Sequence, residues 1–212
     1  MLAFPHPGSV RTEFMMSVVN QNEVKDNPVA RVLAYGTGPV MSKARNAITR
    51  MFLDGDQEWL WMVDTDIEFS IRTLPALLAA ADPEDTPVVS GVYYSREKGE
   101  EHPIAYGAGH DDQGRFRFGA LTPELVKGDG VLQVAAVGAG CLLMHRNAFK
   151  RINGAKPGDE GFWWAEMIID QELFGEDMSF CLRCAMAEVP VLLHCGVRVG
   201  HVKTDTIGDV SP

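Results

Sequence analysis

Three small groups of residues in this chain carry side chains that could do chemistry together. The first is Asp64-Thr65-Asp66, which follows the apolar run from Trp59 to Val63. That run reads as a strand buried on both faces. Two carboxylates leaving such a strand are costly if they stay ionised, dry and unpaired. A divalent cation would resolve the conflict; an acidic turn opening into solvent is the plain alternative. The second group is Glu176-Asp177, which follows Gly175 and opens a helical pattern through Met178, Cys181, Leu182 and Ala185. One of these acids could act as a general base. Both could equally well complement the positive end of the helix dipole. The third group is His201 and Lys203, two residues apart and so on one face of a strand. They read either as a metal ligand with a phosphate contact, or as a structural histidine beside a surface lysine.

Further residues could support such a site. Arg45 and Asn46 lie on a helix whose apolar face is Met41, Ala44, Ile48, Met51 and Phe52. A guanidinium there can fork onto a phosphate or a base carbonyl, or belong to a solvated face. Trp163-Trp164 could stack on a sugar ring or simply pack. Gly138-Ala139-Gly140 breaks an apolar strand, which marks a bulge or the close approach of something to the backbone. Cys181-Leu182-Arg183-Cys184 has the spacing of half a zinc site. It falls inside a helix rather than a knuckle turn, and His194-Cys195 lies in a strand-like run, so the cysteines read as small buried hydrophobes.

The elements needed to position these groups can be read along the chain. Leu2 to Phe4, Val29 to Tyr35, Trp59 to Val63 and Pro87 to Tyr94 predict strands. Between them, helices are predicted from a Ser9 cap to Gln21, from Pro39 to the Asp54-Gly55-Asp56 stop, and from Ile71 to Ala81. This alternation implies an α/β layered domain with a mainly parallel sheet. Ligands of such sheets gather at the carboxyl ends of the strands, where Asp64 and Asp66 lie. From Ser95 to Gly130 the pattern weakens to hairpins or a surface flap. Strands at Val131 to Val137 and Cys141 to Met144, a short helix at Arg146 to Ile152 and a strand at Val189 to His194 follow. Arg198 to Lys203 reads as a further strand, and Thr204 to Pro212 as a polar, mobile tail.

At 212 residues with 46% hydrophobic and 23% charged content, the chain suits one globular domain with a sizeable core. No segment approaches the roughly 18–20 apolar residues of a membrane span, and the first residues do not resemble a secretory signal. A cytoplasmic setting with reduced thiols is therefore expected. The net charge of −10 removes any general attraction to nucleic acid. It also means that an anionic substrate would need a metal or a local basic site.

Taken in order, Phe-Pro-x-Pro-Gly-x-Val at 4–10, Ala-Arg-Asn at 44–46, Val-Asp-Thr-Asp-Ile at 63–67, Ser-Gly-Val-Tyr-Tyr-Ser-Arg at 90–96, Gly-Ala-Gly-Cys at 138–141, Gly-Glu-Asp-Met-Ser-Phe at 175–180 and Gly-His-Val-Lys at 200–203 resemble a family. It is that of small glycosyltransferases of the GT-A fold, close to compact inverting members of bacteria and bacteriophages. The segment after Arg96 departs from that pattern. The resemblance implies a single domain over 1–212: a nucleotide-sugar half at 1–95, an acceptor-side and catalytic half with a smaller β region at 96–203, and the tail. It implies hexosyl transfer from a nucleotide-diphosphate sugar, such as a UDP-sugar, to an acceptor hydroxyl. It implies Mn2+ or Mg2+ held by Asp64, Asp66 and His201, with Asp66 the direct ligand. Asp177 would be the base of an inverting reaction and Glu176 the second candidate. Phe4, Pro5, Arg45, Asn46, Asp64 and Lys203 would face the nucleotide-sugar. Tyr93, Arg96, Gly138, Ala139, Gly140, Trp163 and Trp164 would face sugar and acceptor. The acceptor, a protein or a glycan among the options, is left open, and the setting would be the host cytoplasm if the gene is viral.

A nucleotidyltransferase would open with a glycine-rich phosphate loop, which Pro5-His6-Pro7-Gly8 is not. A haloacid-dehalogenase-type phosphatase carries its D-x-D on the first strand, whereas here it follows the third. A catalytically silent nucleotide- or glycan-binding protein is the alternative from outside the enzymes.

Overall fold

The computed structural model describes residues 1–25, 27–97, 100–155 and 161–203. In chain order the first half runs β1 (Leu2–His6), α1 (Thr12–Asn22), β2 (Val32–Gly36), α2 (Met41–Leu53), β3 (Trp59–Val63), β4 (Ile67–Glu68), α3 (Thr73–Ala80) and β5 (Val88–Val92). Two hairpins follow, β6 (Tyr94–Glu97) with β7 (Glu100–Pro103) and β8 (Ala105–His110) with β9 (Phe116–Ala120). The remainder is β10 (Val131–Val134), β11 (Ala136–Val137), β12 (Cys141–His145), α4 (Arg146–Ala155), β13 (Met167–Ile169), β14 (Glu172–Phe174), α5 (Glu176–Met186), β15 (Val191–Arg198) and β16 (Gly200–His201).

The central sheet has the order β10-β15-β5-β12-β3-β1-β2. Strands β1, β2, β3, β5 and β15 run one way, whereas β10 and β12 run against their neighbours. The sheet is therefore mixed and mostly parallel. The main departure from the expected alternation is β12, which enters antiparallel between β3 and β5, pairing Cys141 with Val63 and Leu142 with Ser90. The two halves expected from the sequence thus share one sheet. The strand expected over Val131 to Val137 is divided, with β10 joining the central sheet and β11 joining β8 and β9.

Strand alternation sends successive residues to opposite faces. Ala3, Leu60, Met62, Leu142 and Met144 pack on one side with Ile48 and Phe52 of α2, Phe149 of α4 and Phe180 of α5. Leu2, Phe4, Trp61, Val63, Cys141 and Leu143 pack on the other with Phe14 and Val18 of α1 and Leu74 and Leu77 of α3. Because both faces are covered, β3, β5 and β12 read as continuous apolar runs rather than alternating ones.

Several boundaries differ from the sequence expectation. Helix α1 begins after Arg11, which offers no side-chain cap, so Ser9 does not start it. The weak segment after Ser95 resolves into the two hairpins. The expected tail from Thr204 lies outside the described residues, as does most of the expected loop before Gly161. No helix among the described residues is long and apolar enough to cross a membrane.

Candidate functional site

The parallel strands β1, β3, β5 and β15 deliver their carboxyl ends to one edge of the sheet. Leaving β3, the chain turns at Asp64, whose carbonyl accepts the Ile67 N–H at 3.1 Å while its own N–H donates to the Gly140 carbonyl at 3.0 Å. Beyond β15, β16 runs antiparallel to β4, placing His201 opposite Ile67. The Val202 N–H donates to the Asp66 carbonyl at 2.7 Å. This short pairing joins the last described strand to the acidic turn, and it is why His201 meets Asp66 despite their distance in sequence.

The His201 ring is oriented from both sides. Its Nδ1 lies 2.7 Å from the Tyr94 carbonyl oxygen, which can only accept, so Nδ1 carries the hydrogen. Its Nε2 faces Asp66 Oδ2 at 3.2 Å. In a neutral ring that nitrogen is a lone pair facing a carboxylate, an arrangement satisfied only by a proton or a cation. The Tyr93 ring packs edge-on against the imidazole at 5.4 Å, and Lys203 Nζ sits 2.8 Å from the same Asp66 oxygen. Partial burial alone would raise the Asp66 pKa. The hydrogen bonds from His201 and Lys203 outweigh it and hold the carboxyl down at about 2.

Asp64 has a different partner. Arg45, on α2, donates from Nη2 to both Asp64 oxygens at 2.9 and 3.2 Å. Its Nε donates to Glu176 Oε1 at 3.1 Å. Nη1 lies 3.0 Å from Met62 Sδ and 3.5 Å from the Ala139 carbonyl, and the guanidinium stands over the Trp164 ring. Arg45 is only 3% exposed. Burial by itself would lower its pKa; Asp64 and Glu176 together push it up instead. Burial raises the Asp64 pKa against the opposing pull of Arg45, although the carboxylate keeps 30% of its surface open toward the cleft.

Asp177 begins α5 beside Glu176. Burial first, and then repulsion from Glu176, push its pKa up, while the Met178 N–H bond at 2.7 Å acts the other way. A carboxyl of raised basicity is better suited to taking a proton.

Two clefts flank the Asp66–His201–Lys203 cluster. One, of about 530 Å³, is lined by Pro5, Pro7, Arg11, Met41, Asp64 and Asp66 among others. The other, of about 540 Å³, is lined by Tyr94, Ser95, Arg96, Glu101, His201 and Lys203 among others. Among the described residues, no three His, Cys, Asp or Glu side chains are arranged to hold a metal ion. Asp66 and His201 face one another, and Asp64 is turned onto Arg45.

Other residues expected at the site are placed in the core. Trp164 is fully buried, stacked on Phe180 at 4.2 Å, with its indole N–H on Thr49. Trp163 is also buried and donates to the Phe149 carbonyl. Neither offers a face to a sugar, because the space that would hold one is filled by Phe149 and Phe180. Asn46 brackets the Trp164 backbone, accepting its N–H and donating to its carbonyl, so its amide is not directed at a nucleotide. Arg45 likewise directs its N–H groups inward. The Phe4 ring packs edge-on against Phe14 at 4.8 Å in the core, whereas Pro5 lines the first cleft. Tyr93 is buried, its pKa pushed well up by that burial, and its hydroxyl accepts the Gly140 N–H at 3.0 Å. A Cβ on Gly140 would lie 2.8 Å from the Tyr93 ring, and one on Gly138 would fall on its hydroxyl. The close approach behind Gly138-Ala139-Gly140 is thus by Tyr93 itself. Arg96 is exposed and paired with Glu101 at 2.5 Å. All four cysteines are free and buried.

Sequence reasoning missed Arg11 and Met41, which line the first cleft, and Tyr94, which orients His201. A lone basic residue in the loop after β1 was the only signal for Arg11. Tyr94 acts through its carbonyl, which every residue has.

No family model matches the chain, and no curated protein matches it either. Solved structures do. A197 from STIV is 15% identical with a TM-score of 0.59, the match covering 100% of this chain and 97% of that one. GalNAc-T7, solved with UDP, GalNAc and Mn2+, is 14% identical with a TM-score of 0.60, the match covering 95% of this chain and 43% of that one. What they share with this chain is the fold. This chain therefore spans less than half the length of GalNAc-T7.

Proposed function

We propose that the chain is a metal-dependent glycosyltransferase that moves a sugar from a nucleotide-diphosphate sugar to an acceptor hydroxyl. The observation that carries this reading is the convergence of Asp66 and His201 beside an open cleft at the carboxyl edge of the parallel strands. Structural likeness to GalNAc-T7, solved with UDP, GalNAc and Mn2+, supports it at the level of the fold.

One carboxylate oxygen beside one imidazole nitrogen suits a cation that accepts mixed oxygen and nitrogen ligands, Mn2+ more than Mg2+. Asp66 supplies a carboxylate oxygen, and His201 supplies an Nε2 lone pair already aimed at it. Asp66 and His201 would hold Mn2+ or Mg2+, and Asp64 would join them on leaving Arg45. When bound, such an ion neutralises a diphosphate and stabilises it as a leaving group. The chain's own residues do the rest. Pro5 and Asp64 border the cleft that would receive the donor. Lys203, now on Asp66, is within reach of a phosphate. Asp177 takes the proton of the acceptor hydroxyl as the new C–O bond forms and the bond to the diphosphate breaks. A retaining course would not call on this base.

The test is hydrolysis and transfer across a panel of nucleotide-sugars, with and without Mn2+. Cation-dependent release of nucleoside diphosphate, lost in Asp66→Ala, is the expected result. Cation-dependent turnover that is unchanged in Asp66→Ala would overturn the metal site. No turnover together with tight nucleotide-sugar binding would favour a silent binding protein.

A further inference from the structure

One buried cation is shared by two carboxylates that belong to the two separate chemical groups of the site. Arg45 reaches Asp64 of the acidic turn with Nη2 and Glu176 of the candidate base pair with Nε. The Arg45 side chain is 4% exposed, so water does not compete with the two carboxylates for its N–H groups. Two carboxylates that accept from one guanidinium compete for its polarisation, unlike the mutual strengthening along a donor–acceptor chain. The positions are fixed independently: α2 packs under the sheet, Asp64 leaves β3, and Glu176 begins α5. The Met62 sulfur and the Trp164 ring hold the guanidinium between them.

We infer that Arg45 is a positioning residue that couples the two carboxylate groups, so that drawing Asp64 away tightens its hold on Glu176, and neutralising Glu176 tightens its hold on Asp64. The coupling rests on the reading of Asp64 as part of a cation site only for its trigger; the shared bond exists without it. A cation held by Asp66 and His201 would draw Asp64 away from Nη2, leaving Glu176 as the carboxylate that Arg45 holds, at the first turn of α5 where Asp177 stands. Linkage makes the effect reciprocal: removing the Glu176 charge leaves Asp64 more firmly held by Arg45 and weakens cation binding.

The experiment observes the Arg45 Nε–H resonance, which reports the bond to Glu176, in ¹⁵N-labelled full-length protein. Asp64→Asn is expected to shift it downfield, and Mg2+ added to the wild type to shift it in the same direction. A shift with Asp64→Asn but none with Mg2+ upholds the coupling and removes the cation as its trigger. No shift with Asp64→Asn overturns the inference whatever Mg2+ does. Glu176→Gln supplies the reverse arm if Asp64→Asn does not fold. It is expected to move the Nη–H resonances facing Asp64 downfield, and unchanged Nη–H resonances would likewise overturn the inference.

Discussion

His201 Nε2 lies 3.2 Å from Asp66 Oδ2 while the opposite ring nitrogen is committed to the Tyr94 carbonyl. In a neutral ring this fixes the tautomer, with the Nε2 lone pair toward the carboxylate; in a protonated ring Nε2–H donates to it. His201→Ala should lower Mn2+ affinity by at least the roughly 10–100-fold that loss of a ligand's outer hydrogen-bond partner costs. Titration calorimetry with Mn2+ alone checks this. Equal affinity in the variant would make the histidine structural.

Asp177→Asn should cut transfer by about 10²–10⁴-fold, the usual contribution of a general base, while donor affinity and melting temperature stay close to wild type. A large drop in melting temperature would instead assign Asp177 to the start of α5.

Asn46 and Trp164 should behave as core residues. Trp164→Ala is expected to cost about 3–5 kcal/mol, and Asn46→Ala about 1–3 kcal/mol through two unmet backbone groups. Urea unfolding measures both. Loss of activity at unchanged stability would return either residue to a ligand-contacting role.

Gly140→Ala should destabilise by about 1–3 kcal/mol through overpacking against Tyr93. The Cβ would lie 2.8 Å from a ring carbon that Tyr93→Phe retains. The double variant should therefore recover little of the loss, as chemical denaturation would reveal.

Without divalent cations, stability should fall in strong acid partly through Asp66. Its pKa is held down from 3.8 to about 2 in the folded chain. The unfolded chain therefore binds the proton first, and the stabilising contribution is full above 3.8 and is lost as pH falls through about 2. Asp64 and Asp177 are raised and act with the opposite sign, gaining stability on protonation. Subtracting the Asp66→Asn unfolding curve from that of the wild type, between pH 5 and 2, isolates the Asp66 segment.

The strand–helix alternation through β5 and the position of the acidic turn were legible because apolar runs and turn residues are local signals. The insertion of β12 was not, since pairing partners far apart in sequence leave no periodic trace. Asp66 and His201, which the fold brings together, could be singled out by type and order. The fate of Arg45, Asn46 and Trp164 could not, because an arginine facing inward and one facing a ligand occupy the same helical position. Whether a tryptophan stacks on Phe180 or on a sugar is decided by what fills the space beside it.

The placement of β12 has a consequence for how the molecule is made. Strands β3 and β5 are synthesised early, yet each takes β12 as a neighbour. A nascent chain ending near residue 95 would carry both with that edge unpaired, a template for wrong partners. The sheet can close only after the ribosome has released Cys141–His145, so folding of β3 and β5 waits on a segment made much later.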